Sequence, residues 1–596
     1  MSEAVEKVSA VLGRMGAPSA LAPRLAAALG PQPAAELDAN PWLLLRLPAV
    51  TVEQADYCAR RHLGEAARPD DPRRLGALVG HTLRTAARRG HTAIEEKRLA
   101  AVVGQLGVAD PRAALEAAVA AEEAALFEST DEPDDDFDFE EGGVPEVPDL
   151  PDPERFYASP EVGRAEQRLG EELLRLIGGS EPIMDPVTAA ETLEAATSRG
   201  GFEISDTTRE ALLTATLRPV TVVHHGPGDR DETARTLVCL AAIARESRVG
   251  IAVVAPTAQT AAAVNADLAR VTGGEDPESG QAGEGDPGEE PAPVRAVSLA
   301  ELLAAEPAPA GLVVLHESMS LGVARTADLV ATCTDDAHLV LLADPDQAPS
   351  ATPGRVVADV AASRTAHVAA VADEAEPSPL TVLARAAAGG GWPEVEAPDR
   401  EVVRVPASSA EEAAHRVVQL VTDSIPRALG IDADQVQVVA AREDGPAGAR
   451  ALNAACKERL NPGPGAHGGF DVGDRVVLAA EGPGYGPGDT GYLRAVSEGA
   501  VVELTGGSRV TVHDPAALRP GWAVGVAAAH GGCWPAVVTV FPPRVPVSRP
   551  QVYTALTRAT RHVSVVDATD GALEAGVRET LAPERTTRLA LILREG

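Results

Sequence analysis

Residues 221–238, TVVHHGPGDRDETARTLV, set Gly226 and Gly228 between an apolar run and an amphipathic one. An apolar strand, a glycine turn and a helix start make the frame in which backbone N–H groups can face a phosphate. In its full form, GxxxxGK[ST], a lysine supplies charge and a Ser or Thr holds Mg²⁺. This stretch carries Asp229, Arg230, Asp231 and Glu232 instead. Two unit charges 4 Å apart interact by about 4 kcal/mol at an effective dielectric near 20. Exchanging lysine for aspartate therefore removes several kcal/mol from a micromolar nucleotide affinity worth about 8 kcal/mol. Arg230 can reach a phosphate or form a salt bridge with a neighbouring carboxylate. Asp231 and Glu232 fall in the first helical turn, where acids offset the helix dipole, so a loop reduced to a structural N-cap is also expected.

The rest of the chain must hold this loop in place. With 596 residues it is too long for one core, and its 45% hydrophobic content is enough for several. Aromatics are only 3%, so those cores are Ala, Val and Leu. A formal charge of −36 repels nucleic acid unless the basic residues are grouped on one surface. Five cysteines, at 58, 239, 333, 456 and 533, are too scattered for a disulfide or zinc framework, and no metal ligand set is expected. The opening MSEAVEKVSAVLGRMG has no apolar leader, and no run of 18 apolar residues occurs, so a cytoplasmic protein without a membrane partner is expected.

Residues 1–125 are rich in Ala, Leu and Arg at helical spacing and read as a bundle of short helices. Of the fourteen residues from Glu128 to Glu141, nine are acidic, and prolines follow. That composition marks 126–160 as a linker, with its charge centred on 128–155 and a helix following at 161–177. From 200 onward apolar strands alternate with helices: TVVHHG, GIAVVAPT, GLVVLHE and AHLVLLADPDQ, then REVVRVPA, QVQVVAA, PAVVTVFP and RHVSVVDA. An acidic, Gly-rich insert (273–290) interrupts the first set. The alternation predicts α/β lobes, each a parallel sheet covered on both faces. Between strands of the second lobe, 470–513 is Gly-rich and strand-like, which predicts a small β insert.

The order of these pieces resembles the RecD-like branch of superfamily 1 DNA helicases. VAPTAQTAA (254–262) is similar to motif Ia, and LLADPDQAPSATPGRVVADV (341–360) to motif III and the segment after it. Residues 435–462 are similar to the stretch around motif IV, and WAVGVAAAHGGCWPAVVTVFP (522–542) has the frame of motif V. VYTALTRATRHVSVV (552–566) looks like motif VI. The resemblance implies two RecA-like P-loop lobes, at 161–395 and 396–596, the second a UvrD-like C-terminal helicase domain. It also implies an SH3-like insert at about 468–515 and a helix-hairpin-helix within 1–125. ATP and Mg²⁺ are the implied cofactors. Single-stranded DNA and DNA-repair or recombination proteins are the implied partners.

Position by position, the resemblance divides. The family loop GGPGTGKT aligns on HGPGDRDE, so His225, Arg230, Asp231 and Glu232 stand at its first Gly, second Gly, Lys and Thr. VVLHES sets His316 where the family has its Mg²⁺-binding Asp and keeps Glu317 as the implied base. The glutamine of the adenine-reading segment is Thr208 in ISDTTREALL, and the polar centre of motif V is Ala527–Ala529. The turn of the N-terminal hairpin, Pro48-Ala49-Val50-Thr51, has no glycine to hold a DNA phosphate. Arg60, Arg61, Arg73, Arg74, Arg84, Arg88 and Arg89 make either a basic face or a solvated helix surface.

Glu317, Gln347 and Arg558 remain as the implied catalytic set. Gly226, Gly228, Arg230, Thr233, Asp344 and Tyr553 remain as the implied nucleotide-facing set. Inter-lobe packing is the other use open to these survivors. The expected function is that of a RecD-like homologue with a degenerate Walker A and Walker B centre, a binding or scaffold protein in DNA metabolism. An active ATP-dependent 5′→3′ helicase with an unconventional loop and an acidic protein-interaction regulator are the alternatives.

Overall fold

The computed structural model describes residues 3–129, 153–273, 294–305, 310–372 and 376–596. The acidic stretches expected as linker and insert lie largely outside the described residues. Among those described, no helix is long and apolar enough to cross a membrane. The chain forms two compact units: residues 1–171 with 352–355 and 585–596, and residues 172–351 with 356–584.

The first unit is mainly helical. Helices Glu3–Met15, Val52–Leu63, Pro72–Arg88 and Pro111–Ala120 enclose a core containing Leu12, Leu25, Trp42, Leu44, Leu78 and Leu115. The turn before Val52 is fixed by a capping box: the Thr51 hydroxyl accepts from Gln54 N–H and the Gln54 side chain accepts from Thr51 N–H. Asp71 caps Pro72–Arg88, where proline at the first helical position needs no N–H partner.

Both ends of the segment read as linker are strands. β1 (Ile94–Glu95), β2 (Ala125–Ser129) and β3 (Glu154–Ala158) form an antiparallel sheet in the order β1-β3-β2. ERFYA buries Phe156 and Ala158 against Phe127, but acids and prolines on either side mask that short alternation. The following helix is Pro160–Gly179. Residues 585–596, read as the end of the second lobe, belong to this first unit. Leu591 packs against the Phe156 cluster, and the Arg588 guanidinium lies 3.8 Å from the Phe127 ring centroid. The buried Glu166 carboxylate accepts from Thr92 Oγ1 and from the N–H groups of Arg588 and Leu589.

The second unit holds the α/β architecture expected from the alternation. β4 (Val220–His224), β5 (Ile251–Ala255), β6 (Ala296–Ser298), β7 (Leu312–Leu315), β8 (His338–Ala343) and β9 (His367–Ala370) form a parallel sheet ordered β6-β5-β7-β8-β4-β9. LVVL and HLVLLA are buried along their whole length, as strands covered on both faces must be. A second parallel sheet contains β10 (Val402–Pro406), β11 (Val436–Ala440), β17 (Ala523–Gly525), β18 (Trp534–Phe541) and β19 (Ala559–Asp567), ordered β10-β19-β18-β11-β17. Helix Pro379–Ala388, read as part of the first lobe, packs Leu383 and Ala387 into the core of this second sheet. Its apolar spacing gives no sign of which sheet it covers.

Between β11 and β17 lies an antiparallel sheet of β12 (Arg475–Leu478), β13 (Thr490–Val496), β14 (Ala500–Leu504), β15 (Arg509–Val512) and β16 (Leu518–Pro520). Val476, Leu478, Leu493, Val502 and Leu504 fill its interior. Gly491 is required there, since a Cβ would meet the Glu503 carbonyl at 2.3 Å.

Candidate functional site

The glycine loop leaves the C-terminal end of β4 and enters helix Arg230–Glu246. Gly228 has φ +97°, and a Cβ there would meet Thr381 Oγ1 at 2.8 Å. The turn is tied by Gly226 N–H, which donates to Asp229 Oδ2 at 2.6 Å. Thr233 closes the first helical turn, its N–H and its hydroxyl each donating to the Asp229 carbonyl at 2.8 Å.

The charged residues of the loop are engaged with other parts of the first lobe. Arg230 forms a bidentate pair with Asp267 of helix Ala258–Thr272, through Nε at 3.1 Å and Nη2 at 2.9 Å. Asp231 pairs with Arg270 of the same helix. The Glu232 carboxylate accepts from Ser205 N–H at 2.9 Å and pairs with Arg235 at 3.2 Å. Asp231 and Glu232 lie in the first helical turn, as expected, where acids offset the helix dipole. Asp229 is the N-cap residue and makes no side-chain cap hydrogen bond, while the two acids turn to nearby donors and cations. Thr208, at the position read as an adenine reader, is buried, and its N–H donates to the Ser205 cap.

A second group gathers where the two lobes meet. Glu317 follows β7 and has left-handed backbone (φ 53°), and its Oε1 lies 3.6 Å from Arg558 Nη1. Arg558 is 3% exposed. It donates through Nε to the Thr554 carbonyl, Nη1 to the Gly532 carbonyl and Nη2 to Thr557 Oγ1, at 2.9–3.2 Å. Burial pushes the Glu317 carboxyl up, but Arg558 and the neighbouring imidazoles outweigh it and hold the group below the usual carboxylate range. Burial pulls His316 and His530 down to about 4, so both are neutral at pH 7 and Arg558 is the cation that keeps Glu317 ionised there.

Asp344, at the end of β8, accepts from the Tyr553 hydroxyl at 2.6 Å. Burial pushes its carboxyl up to about 6 against that hydrogen bond. Gln347 Nε2 reaches the same carboxylate at 3.4 Å. Further bonds cross between the lobes. Thr260 Oγ1 donates to the Gly531 carbonyl, His530 Nε2 donates to the Ala348 carbonyl and Ala348 N–H donates to Thr554 Oγ1, each at 2.7 Å.

These elements surround a cavity of about 300 Å³. Gly226, Gly228, Arg230 and Thr233 line it from the loop; Glu317, Asp344 and Gln347 from strand ends; and Arg558 from the second lobe. Tyr553 does not line it and lies buried behind Asp344. Sequence reasoning missed Asp267, Arg385, His530 and Cys533. Asp267 and Arg270 stand i, i+3 on one helix face and match Arg230 and Asp231 in opposite sign, a signal available in the sequence. In the first unit, Arg73, Arg74 and Arg84 pair with Asp71, Asp56 and Glu123, so these three are not an open basic face. Among the described residues no group of three or more His, Cys, Asp or Glu is placed to hold a metal ion.

Residues 1–93 match the model of the ATP-dependent RecD2 DNA helicase HHH domain. The chain is also 31% identical over 281 residues to the ATP-dependent RecD2 DNA helicase of Deinococcus radiodurans, across 43% of this chain and 36% of that relative. The matched stretch thus spans little more than a third of the relative's length. Among solved structures, one of two coordinating Pif1 helicases at forked double-stranded DNA is 14% identical with TM-score 0.37, covering 64% of this chain and 95% of that one. A Bacteroides Pif1 helicase in complex with ADP-AlF3 and single-stranded DNA is 13% identical with TM-score 0.36, at the same coverage. The N-terminal match and the RecD2 relative make the chain similar, over part of its length, to RecD2 DNA helicases.

Proposed function

We propose that this RecD-like homologue serves DNA metabolism as a binding or scaffold protein and does not drive unwinding efficiently with ATP. One observation carries the reading: the arginines of the cleft are already engaged by carboxylates of this chain. Arg230 is held by Asp267, Arg558 by Glu317 and three oxygen acceptors, and the position of the phosphate-binding lysine is an aspartate engaged by Arg270. The lining carries four carboxylates, Asp267, Glu317, Asp344 and Glu376, against the guanidiniums of Arg230, Arg385 and Arg558. A triphosphate would enter a wall of the wrong sign, and His316 offers a buried neutral imidazole where Mg²⁺ takes oxygen ligands. The residues present do not fit Mg-ATP. Single-stranded DNA is the proposed partner, in keeping with the RecD2 relative's description as a DNA helicase.

A second reading, an active helicase, is favoured by the convergence of Glu317, Gln347 and Arg558 on one cavity. Calorimetry with Mg-ATP and steady-state turnover with single-stranded DNA separate the two. No heat of binding and no DNA-stimulated turnover are expected. Turnover above about 1 s⁻¹, abolished by Glu317→Gln, would establish the active enzyme instead.

A further inference from the structure

Among the described residues, four buried polar atoms of side chains lining the cleft cavity have no hydrogen-bond partner: His225 Nε2, His316 Nδ1, Glu317 Oε2 and Gln347 Oε1. Glu317 is 9% exposed and Gln347 3%. Buried orphans of this kind are few in a native fold, and each is unfavourable until something bonds to it. Two of them, a carboxylate oxygen and an amide oxygen, can only accept, and the two imidazole nitrogens accept or donate according to tautomer. The amide is oriented by its own donor, since Gln347 Nε2 faces Asp344. The cationic side chains of the lining are already engaged: Arg230 by Asp267, Arg558 by Glu317, and Arg385 facing Asp229 at 3.7 Å. Carboxylates outnumber guanidiniums in the wall. Glu317 Oε2 and Gln347 Oε1 therefore lack a hydrogen-bond donor, and the excess of carboxylates in the wall favours a cation.

We propose that the cavity binds a small organic cation rich in N–H donors, a guanidinium or primary ammonium compound, with Glu317 and Gln347 as its principal acceptors. A volume of about 300 Å³ is at the lower end of small-ligand pockets and accommodates a group of that size. Burial keeps the His316 imidazole neutral at pH 7, so it does not repel such a ligand. The geometry for a bare metal ion is absent among the described residues, which directs the assignment to an organic cation. The inference rests on the reading that this cleft does not take ATP.

The test is titration calorimetry of the full chain at pH 7.5 with agmatine, which carries a guanidinium at one end and an ammonium at the other. Pyrophosphate, Mg-ATP and the capped tripeptide acetyl-Gly-Arg-Gly-amide form the other arms. One-to-one agmatine binding is expected, weakened at least tenfold by Glu317→Gln, as loss of a charged hydrogen-bond partner implies. Gln347→Leu is expected to weaken it severalfold, and circular dichroism checks that each variant is folded. Tighter binding of the tripeptide would keep the chemistry and assign the cation to a protein side chain. Pyrophosphate binding tighter than agmatine, or no agmatine binding at millimolar concentration, would overturn the proposal. The two readings fail separately: DNA-stimulated ATP turnover sinks the first, and an inert cavity in an ATP-inactive protein sinks only this one.

Discussion

Replacing Arg558 by methionine tests whether this arginine holds the lobes together or waits for a phosphate. The substitution keeps the length and apolar stem and deletes the guanidinium. At 3.6 Å and an effective dielectric near 20, its attraction to Glu317 is about 5 kcal/mol before desolvation. Glu317 is then left buried with no counter-charge, and removing one partner of a buried pair costs about 3–5 kcal/mol. Urea unfolding at pH 7.5, followed by tryptophan fluorescence, reads the loss. Trp534 reports locally, because its backbone N–H donates to the Arg558 carbonyl and its ring lies in the second-lobe core. The second step is the Glu317→Gln, Arg558→Met double variant. A neutral Gln needs no cation, so the double variant is expected to be more stable than Arg558→Met alone, with a coupling of about 2–3 kcal/mol.

The pH dependence has a definite sign. The folded Glu317 carboxyl titrates below its ordinary value, so the stability it lends is complete above about pH 4.5 and is lost as pH falls through the lower folded value. The deficit of Arg558→Met should therefore narrow in acid, where Glu317 is protonated and no longer needs the guanidinium. An Arg558 poised for a ligand would behave differently: its loss would change stability by less than about 1 kcal/mol, and the two substitutions would add. That result refutes the fastening role.

His530→Gln should flatten the acid side of the stability curve. With the imidazole at about 4 when folded and about 6.5 when unfolded, the wild type loses about 2 kcal/mol between pH 7 and pH 5 that the variant keeps, measurable by denaturant titration at both values. Asp231→Lys should not create Mg-ATP binding by calorimetry, since the Arg230–Asp267 pair and His316 remain. It should lower stability by less than about 1 kcal/mol, because the Asp231–Arg270 pair is partly exposed. Thr51→Ala should cost about 1 kcal/mol by removing the cap, and faster hydrogen exchange at the Gln54 amide would report it.

The buried strands were legible because LVVL and HLVLLA are apolar without interruption, which a sheet covered on both faces demands. The glycine turn was legible because Gly228 takes the positive φ of the loop, a conformation glycine adopts without strain. The engagement of Arg230 was legible only as one of two options, since Asp267 lies 37 residues away and the fold brings it near. Strands β2 and β3 were hidden for another reason: five-residue alternations carry little weight beside a long acidic run. Neither the joining of 585–596 to the first unit nor the packing of Pro379–Ala388 on the second sheet could be read locally. A helix's apolar face shows that it packs but not against what.

The return of the chain to its first unit bears on how the protein is made. A unit formed by consecutive residues can complete its folding as it leaves the ribosome. Here residues 1–171 emerge early, whereas Arg588 and Leu591, which cover Phe127 and Phe156, are translated after roughly 400 intervening residues. At about 5–20 residues per second, about 20 to 80 s separate the two. During that interval Glu166 lacks the N–H donors of Arg588 and Leu589, and Phe127 and Phe156 lack their cover. The nascent N-terminal unit therefore cannot complete its packing until residues 585–596 have been made.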